Sequence, residues 1–125
     1  MQSVFLVAMG GALGAAARFG VTTGATRFFG HAFPLGTIIV NVAGSLAMGL
    51  LIAWLASRSA GDQAYRLFFA TGFLGAFTTF SAFSLDFAVL VERGQLGAAA
   101  SYAVVSVVMS LLAVFIGLYV GRAVF

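Results

Sequence analysis

Residues Gly72 to Ser84 read GFLGAFTTFSAFS and lie inside an apolar run long enough to cross a lipid bilayer. Two glycines, Gly72 and Gly75, open this stretch where helix propensity is poorest, and four hydroxyl residues then alternate with phenylalanines. Because backbone and hydroxyl groups at membrane depth need internal partners, the stretch fits a regular transmembrane helix badly. It predicts a broken helix that lines an ion path and is held in place by the other segments.

The composition places the chain among integral membrane proteins. Its 125 residues are 62% hydrophobic and only 7% charged, with a mean hydropathy of +1.14, whereas a soluble domain carries about 25% charged residues. The absence of cysteine excludes disulfides and thiolate metal sites. Six scattered arginines make no nucleic-acid patch, and the start of the chain lacks the basic region of a signal peptide.

Four segments reach the roughly 20 apolar residues that a membrane helix needs. We therefore predict an all-α membrane protein in which residues 1–125 form a single domain of four transmembrane helices, with the third one broken. The predicted spans are Val4–Val21, Leu35–Leu55, Leu67–Val91 and Gly97–Val120. The predicted connections are Thr22–Phe33 with Arg27 and His31, Arg58–Arg66 with Asp62, and Glu92–Gln95 with the turn Arg93-Gly94.

The arginines flanking these spans give little orientation signal. Three lie on each side of the membrane: Arg58, Arg66 and Arg122 on one, and Arg18, Arg27 and Arg93 on the other. The positive-inside rule therefore gives almost no prediction of the chain's orientation in the membrane. Either the amino terminus or a partner sets the orientation, or the chain inserts both ways and antiparallel copies pair as inverted repeats do in many transporters.

Several Gly-x-x-x-Gly pairs predict close contact between helices. They are Gly10/Gly14, Gly20/Gly24 and Gly117/Gly121, with Ser45/Gly49 as a looser version. We interpret them as packing positions.

The sequence has no paired carboxylates in a span, no histidine cluster, no Ser/His/Asp set and no phosphate-binding loop. Its lone histidine, His31, is predicted to be solvated in a loop. These absences argue against an enzyme.

Asn41 follows Pro34 by seven residues, about 10 Å along a helix, and so lies well inside the membrane. It has two open interpretations. Its side chain makes an interhelical hydrogen bond, or its NH₂ group offers donors to an anion in a pore.

Phe80 and Phe83 share a helix face and are surrounded by hydroxyl residues. An aromatic stripe usually indicates packing, but ring edges are electropositive. Two such edges beside serine and threonine would attract a small anion.

Tyr102, Ser106 and Ser110 recur every fourth residue on one face of the last helix. The two serines either bond back to carbonyls of the preceding turn or face the phenylalanines of the third helix.

Arg18 and Asp86 are the charges expected within spans, where charge indicates function unless it lies near a helix end. We place Arg18 near the end of the first helix, where it would concentrate anions in a vestibule. Asp86 would need a donor such as Tyr102.

The chain resembles the bacterial fluoride channels of the Fluc (CrcB) family over essentially its whole length, through three motifs in order. They are Gly10-Gly11…Gly14…Arg18-Phe19, Pro34-Leu35-Gly36-Thr37…Val40-Asn41…Gly44, and Gly72…Gly75…Thr78-Thr79-Phe80-Ser81-Ala82-Phe83-Ser84.

The resemblance implies an antiparallel, dual-topology homodimer in the bacterial inner membrane with two narrow fluoride pores. By this similarity, Asn41 donates to the anion and Phe80 and Phe83 present ring edges to it. Hydroxyls of a polar track would come from Ser81, Tyr102, Ser106 and Ser110, and Arg18 and Thr37 would lie near an aqueous vestibule.

The resemblance also implies a structural sodium ion at the centre of the dimer. Its ligands would be the backbone carbonyls of Gly75 and Thr78, where the third helix is unwound, as carbonyls of broken helices bind cations elsewhere.

Two positions depart from the family pattern. Ala82 stands where threonine is usual, which removes a hydroxyl beside the phenylalanines. Asp86 stands where glutamate is usual. Because the aspartate side chain is one methylene shorter, its carboxylate must reach Tyr102 over a shorter arm to form a hydrogen bond.

The sequence thus favours passive export of fluoride by a selective channel. The alternatives are a small dual-topology, proton-coupled exporter of cationic drugs, which would require Asp86 as its embedded carboxylate, and a structural membrane subunit without a pore.

Overall fold

The computed structural model describes residues 1–58 and 63–125, and every element in these ranges is helical. Asp62, placed above in a connection, lies outside the described residues. The elements are α1 (Gln2–Phe29), α2 (Leu35–Ala56), α3 (residues 63–77), α4 (Ser81–Glu92) and α5 (Leu96–Val124). Within α3, short α-helical turns at Gln63–Tyr65 and Gly75–Phe77 flank a π-helical segment, Arg66–Leu74.

Four membrane spans are long and apolar enough to cross a bilayer in the described part of the chain, which confirms the predicted number. They correspond to α1, α2, the combined α3 and α4, and α5. Their ends extend beyond the predicted ones: the third span covers Gln63–Glu92 and the fourth Leu96–Val124.

The largest error concerns the first helix, which continues to Phe29 instead of ending at Val21. The polar residues that suggested a loop are absorbed by the helix itself. Thr22 Oγ1 donates to the Arg18 carbonyl at 2.9 Å and Thr26 Oγ1 to the Thr22 carbonyl at 3.0 Å, which satisfies both hydroxyls inside a membrane helix. The helix ends only where Gly30 adopts a φ of 78°, and His31 is then exposed, as predicted.

Glycines form the close contacts between the helices. Two of the three predicted Gly-x-x-x-Gly pairs make such contacts. Gly117 of α5 meets the backbone of α2 at Leu46 and Leu50, and Gly121 meets Ala53. Gly10 and Gly14 of α1 lie against the backbone of α3. These small residues let helix axes approach closely.

The third pair, Gly20 and Gly24, has nothing within 4 Å of either Cβ position among the described residues. The Ser45/Gly49 variant packs through Gly49, whose Cβ position lies 2.8 Å from the amide nitrogen of Leu118.

The third span is broken as predicted, but only one of the two residues expected to be unwound leaves the helix. Gly75, expected to be unwound, keeps helical angles of φ −61° and ψ −35°. Thr78 is extended, with φ −80° and ψ 158°, and α4 begins at Ser81. The chain therefore leaves the helix at Thr78, one of the two residues expected to be unwound, while Gly75 remains helical.

A small core fastens α4 to α5 near one end of the molecule. Leu90, Ala99 and Tyr102 are buried there. The Tyr102 ring stacks on Phe83, with centroids 5.3 Å apart, and meets Phe33 edge-on at 5.7 Å. This packing fixes the orientation of α4 after the break.

Candidate functional site

A cavity of about 460 Å³ lies between α2, the helix break and α5. It is open on one side, and most of its wall is apolar, with hydroxyl and amide groups at separate points. Its lining residues are Asn41, Gly44, Ser45, Met48, Gly75, Thr78, Thr79, Phe80, Phe83, Ser106, Val107, Ser110, Leu111 and Val114. The structure thus brings together five of the seven predicted pore residues, which are Asn41, Phe80, Phe83, Ser106 and Ser110.

The serines of α5 carry the least satisfied polar atoms of this surface. The Oγ atoms of Ser106 and Ser110 are buried and have no hydrogen-bond partner among the described residues. They therefore do not bond back to the carbonyls of the preceding turn, which was one of the two interpretations of their spacing. A buried hydroxyl without a partner is costly, so each of these two groups would gain from a ligand or water that reached it from the cavity.

The two phenylalanines differ in exposure. The rings of Phe80 and Phe83 lie 5.4 Å apart with a tilt of 42°, which confirms that they are neighbours. Phe80 lies at the break itself and is 76% exposed in the protomer, whereas Phe83 is half-buried against Tyr102. Phe80 therefore projects over the open side of the cavity.

Asn41 pairs with the backbone of the break. Its Nδ2 donates to the Thr79 carbonyl at 2.9 Å, and its Oδ1 accepts from the Thr79 amide at 2.7 Å. The interhelical hydrogen bond was one of the two interpretations of Asn41, and the structure shows it. Donation to an anion stays a prediction.

Asp86 receives two hydroxyl hydrogen bonds on one oxygen. Tyr102 donates to Oδ2 at 2.8 Å, as expected for this carboxylate, and the shorter aspartate reaches it without difficulty. Thr37 also donates to Oδ2, at 2.7 Å. Asp86 therefore ties α4 to both α2 and α5.

This network moves Tyr102 and Thr37 away from their predicted roles in the wall and vestibule. Both side chains are buried, and neither lines the cavity described above. Their described partner is Asp86. Their parts in a polar track and a vestibule stay predictions.

We expect Tyr102→Phe to lower the free energy of unfolding by about 2 kcal/mol, because a hydrogen bond to a carboxylate is lost from a buried site. Unfolding of the detergent-solubilised protein followed by circular dichroism measures the difference. Tyr119→Phe is the matched control, since Tyr119 is 78% exposed. Equal stability of the two variants would contradict a structural role for the Tyr102 hydroxyl.

Arg18 lies inside α1 and not near its end, because that helix continues to Phe29. The side chain is half-buried, and its Nη1 donates to the Thr78 carbonyl at 3.5 Å. If Arg18 is left out of the count, two arginines flank the spans on one predicted side of the membrane and three on the other, namely Arg27 and Arg93 against Arg58, Arg66 and Arg122. The orientation signal remains weak.

The carbonyls of Gly75 and Thr78 have the donor chemistry for a hard cation such as sodium, as oxygen atoms freed at a helix break do in other membrane proteins. The Thr79 amide donates to Asn41 and not to the Gly75 carbonyl four residues earlier. Thr78 presents its carbonyl from an extended backbone, with Arg18 as its neighbour. These two oxygens alone would leave the coordination shell of a cation incomplete, so the implied site would need further oxygens from a second copy.

Two residues predicted to lie on the pore, Tyr102 and Ser81, are absent from the lining of the cavity, and two polar residues that were not predicted are present in it. Ser81 is exposed, and its Oγ lies 3.4 Å from Thr79 Oγ1 but does not line the cavity. Ser45 and Thr79 do line it. The spacing of Ser45, one helical turn after Asn41, was the available signal.

A family model described as "CrcB-like protein, Camphor Resistance (CrcB)" matches residues 5–118 of the chain. Curated relatives match over nearly full length. The "Fluoride-specific ion channel FluC" of Paracoccus denitrificans (strain Pd 1222) is 56% identical over 126 residues, covering 100% of this chain and 99% of the relative. The proteins of the same name from Chelativorans sp. (strain BNC1) and Hyphomonas neptunium (strain ATCC 15444) are each 52% identical, covering 99% and 100% of this chain.

These names describe membrane channels and not enzymes. Together with four apolar spans, the comparisons identify a multi-pass membrane protein.

Proposed function

This chain belongs to the CrcB family, and we propose that it is a fluoride-selective ion channel that lets fluoride leave the bacterial cytoplasm passively through the inner membrane. The main support is one geometric observation. Ser106 and Ser110, whose hydroxyls have no partner among the described residues, line the same cavity as Phe80 and Phe83. Hydroxyl donors and ring edges both favour an anion.

The proposed selectivity follows from the small number of donors in a narrow, mostly apolar path. A small anion that loses its water must find replacement donors within reach. By this proposal, the hydroxyls on α5 replace water around fluoride, and the pore completed by a second copy leaves a larger halide unaccommodated. The membrane potential supplies about 2.3 kcal/mol per charge per 100 mV to drive the anion out of a negative interior.

The assembly we propose is an antiparallel homodimer with two pores. Two observations support it. The cavity is open on one side and Phe80 is 76% exposed, so a second copy would complete the wall. The near balance of arginines on the two sides permits insertion in both orientations.

We also propose the structural sodium ion that the family resemblance implies. Gly75 and Thr78 would hold it through their backbone carbonyls, and the two-fold axis of the dimer would double the number of oxygens. Its contribution would be to neutralise carbonyl dipoles brought together at the interface.

The experiment that tests the function uses proteoliposomes loaded with both potassium fluoride and potassium chloride. After valinomycin is added to allow potassium to follow, we expect fluoride to leave while chloride stays inside. Ion-selective electrodes record both anions in the same sample, and protein-free liposomes give the background. Equal efflux of the two halides would contradict the selectivity, and efflux of neither would contradict the channel.

Topology is tested with a single cysteine in this cysteine-free chain. Gly94 is a poor position, because its φ of 74° disfavours any side chain. Gln95→Cys is better, since Gln95 is exposed in the same connection and makes no side-chain cap. A membrane-impermeant maleimide should label about half of the protein from outside intact cells, as expected for equal populations in both orientations; complete labelling or none would contradict dual insertion.

No observation favours the proton-coupled exporter. That mechanism would require Asp86 as its carboxylate, and Asp86 already accepts hydrogen bonds from Thr37 and Tyr102. Abolition of transport by Asp86→Asn together with dependence on a proton gradient would support that alternative.

A further inference from the structure

Asn41 makes a two-point contact with the backbone of a single residue at the helix break. Its Nδ2 donates to the Thr79 carbonyl at 2.9 Å and its Oδ1 accepts from the Thr79 amide at 2.7 Å. One carboxamide thus pairs both backbone groups, as a neighbouring strand would. We propose that Asn41 is a positioning residue that holds the break at Thr79 and thereby fixes where the ring of Phe80 lies.

The break creates the need for such a partner. Because Thr78 is extended, the Thr79 amide no longer meets the Gly75 carbonyl as it would in a continuous helix. A backbone group left unpaired inside a membrane carries a large energetic cost. Without Asn41, residue 79 would be driven to close the helix again or to draw water into the protein.

Local contacts on either side of the break do not replace Asn41. Thr78 donates its amide and its hydroxyl to the Leu74 carbonyl, at 3.0 and 2.9 Å, which ends α3. The amide of Ala82 donates to Thr79 Oγ1 at 3.2 Å, which begins α4. Both contacts leave the Thr79 amide and carbonyl to a partner from outside, and among the described residues that partner is Asn41.

A glycine in α2 lets the side chain of Asn41 reach the break. Gly44 lies one turn after Asn41 on the same face, and a Cβ at Gly44 would overlap the methyl group of Thr78. The axis of α2 therefore passes so close to the break that a side chain as short as asparagine spans the gap. Gly44 and Asn41 therefore both contact the break, Gly44 at Thr78 and Asn41 at Thr79.

This role differs from the anion donor that the family resemblance implies. A carboxamide has two N–H groups, and Thr79 occupies one of them, so only the second is free for an anion. The positioning role acts on the protein backbone in the complete absence of fluoride. It can therefore be tested separately from the proposed function.

The test is hydrogen exchange and carbonyl chemical shift at Thr79, measured by NMR on ¹⁵N,¹³C-labelled protein in fluoride-free detergent micelles. In the wild-type protein the Thr79 amide should be protected although it lies in a break. Asn41→Ala should raise its exchange rate about tenfold, since a buried hydrogen bond is lost. Ser45→Ala is the matched control: Ser45 lines the same cavity one turn along α2 and should leave Thr79 unchanged.

Asn41→Asp separates the two hydrogen bonds. Aspartate keeps an acceptor for the Thr79 amide but has no N–H for the Thr79 carbonyl. We expect the amide to remain protected while the Thr79 carbonyl resonance moves upfield; Asn41→Ala should change both. Protection of the Ala99 and Tyr102 amides, in the buried α4–α5 core, reports whether each variant is folded.

A wild-type Thr79 amide that exchanges as fast as the exposed His31 amide would overturn the proposal. So would a Thr79 carbonyl resonance that Asn41→Asp leaves unmoved, and this second criterion decides alone if Asn41→Ala does not fold. Failure of the fluoride channel in liposomes would leave these results intact, because no anion is present in the measurement.

Discussion

Phe80→Ile is expected to abolish fluoride efflux from proteoliposomes while the protein remains folded and assembled. The reason is chemical and not steric. Isoleucine keeps an apolar side chain at the break, but it has no electropositive ring edge to offer an anion. Phe80 is also 76% exposed in the protomer, so its replacement removes little packing within the protomer.

The matched control is Phe5→Ile. Phe5 lies in α1, is 63% exposed and does not line the cavity, so its replacement should leave efflux unchanged. Gel filtration and circular dichroism establish that both variants are assembled and helical. Normal efflux through Phe80→Ile would remove the ring from the proposed path, and loss of efflux in both variants would point to a general defect.

Gly117→Ala is expected to destabilise the fold by about 3 kcal/mol, because it overpacks a contact between two helix backbones. A Cβ at Gly117 would overlap the Leu46 carbonyl and lie 3.0 Å from the Leu50 amide nitrogen. Backbone atoms cannot rotate away as a flexible side chain can, so α2 and α5 must separate. That separation would also displace Asn41 and Ser110, which lie on the same pair of helices.

Gly97→Ala is the control on the same helix, since nothing lies within 4 Å of its Cβ position among the described residues. Alanine there should leave stability unchanged or raise it slightly through better helix propensity. Reversible unfolding in mixed detergent micelles gives both values. If Gly117→Ala were as stable as Gly97→Ala, the close contact between α2 and α5 would be wrong.

Particular residues show where pattern reasoning failed. The threonines after Arg18 were interpreted as a loop because they are polar, yet their hydroxyls bond to carbonyls of their own helix. The distinction depends on side-chain rotamers, which hydropathy does not report. Arg18 consequently lies within a membrane span and contacts the break, and is not at a helix end.

The position of the break shows the same limit. The expected site of unwinding includes both Gly75 and Thr78, and glycine has a poor helix propensity. In the structure Gly75 keeps helical angles and the chain leaves the helix at Thr78, where Asn41 of α2 bonds to the backbone of the next residue. Tertiary packing overrides local propensity here.

The sequence by itself determined the membrane class, the number of spans, the existence of a break in the third one and the family, because these depend on composition, segment length and motif order. Only the tertiary structure decided which polar groups pair with each other. Asp86 accepts hydrogen bonds from Thr37 and Tyr102, and Asn41 bonds to the backbone of Thr79. The hydroxyls of Ser106 and Ser110 have no partner among the described residues. In a membrane the partner of a polar group comes from whichever helix lies within reach, and close contacts at glycines such as Gly44 and Gly117 set that reach.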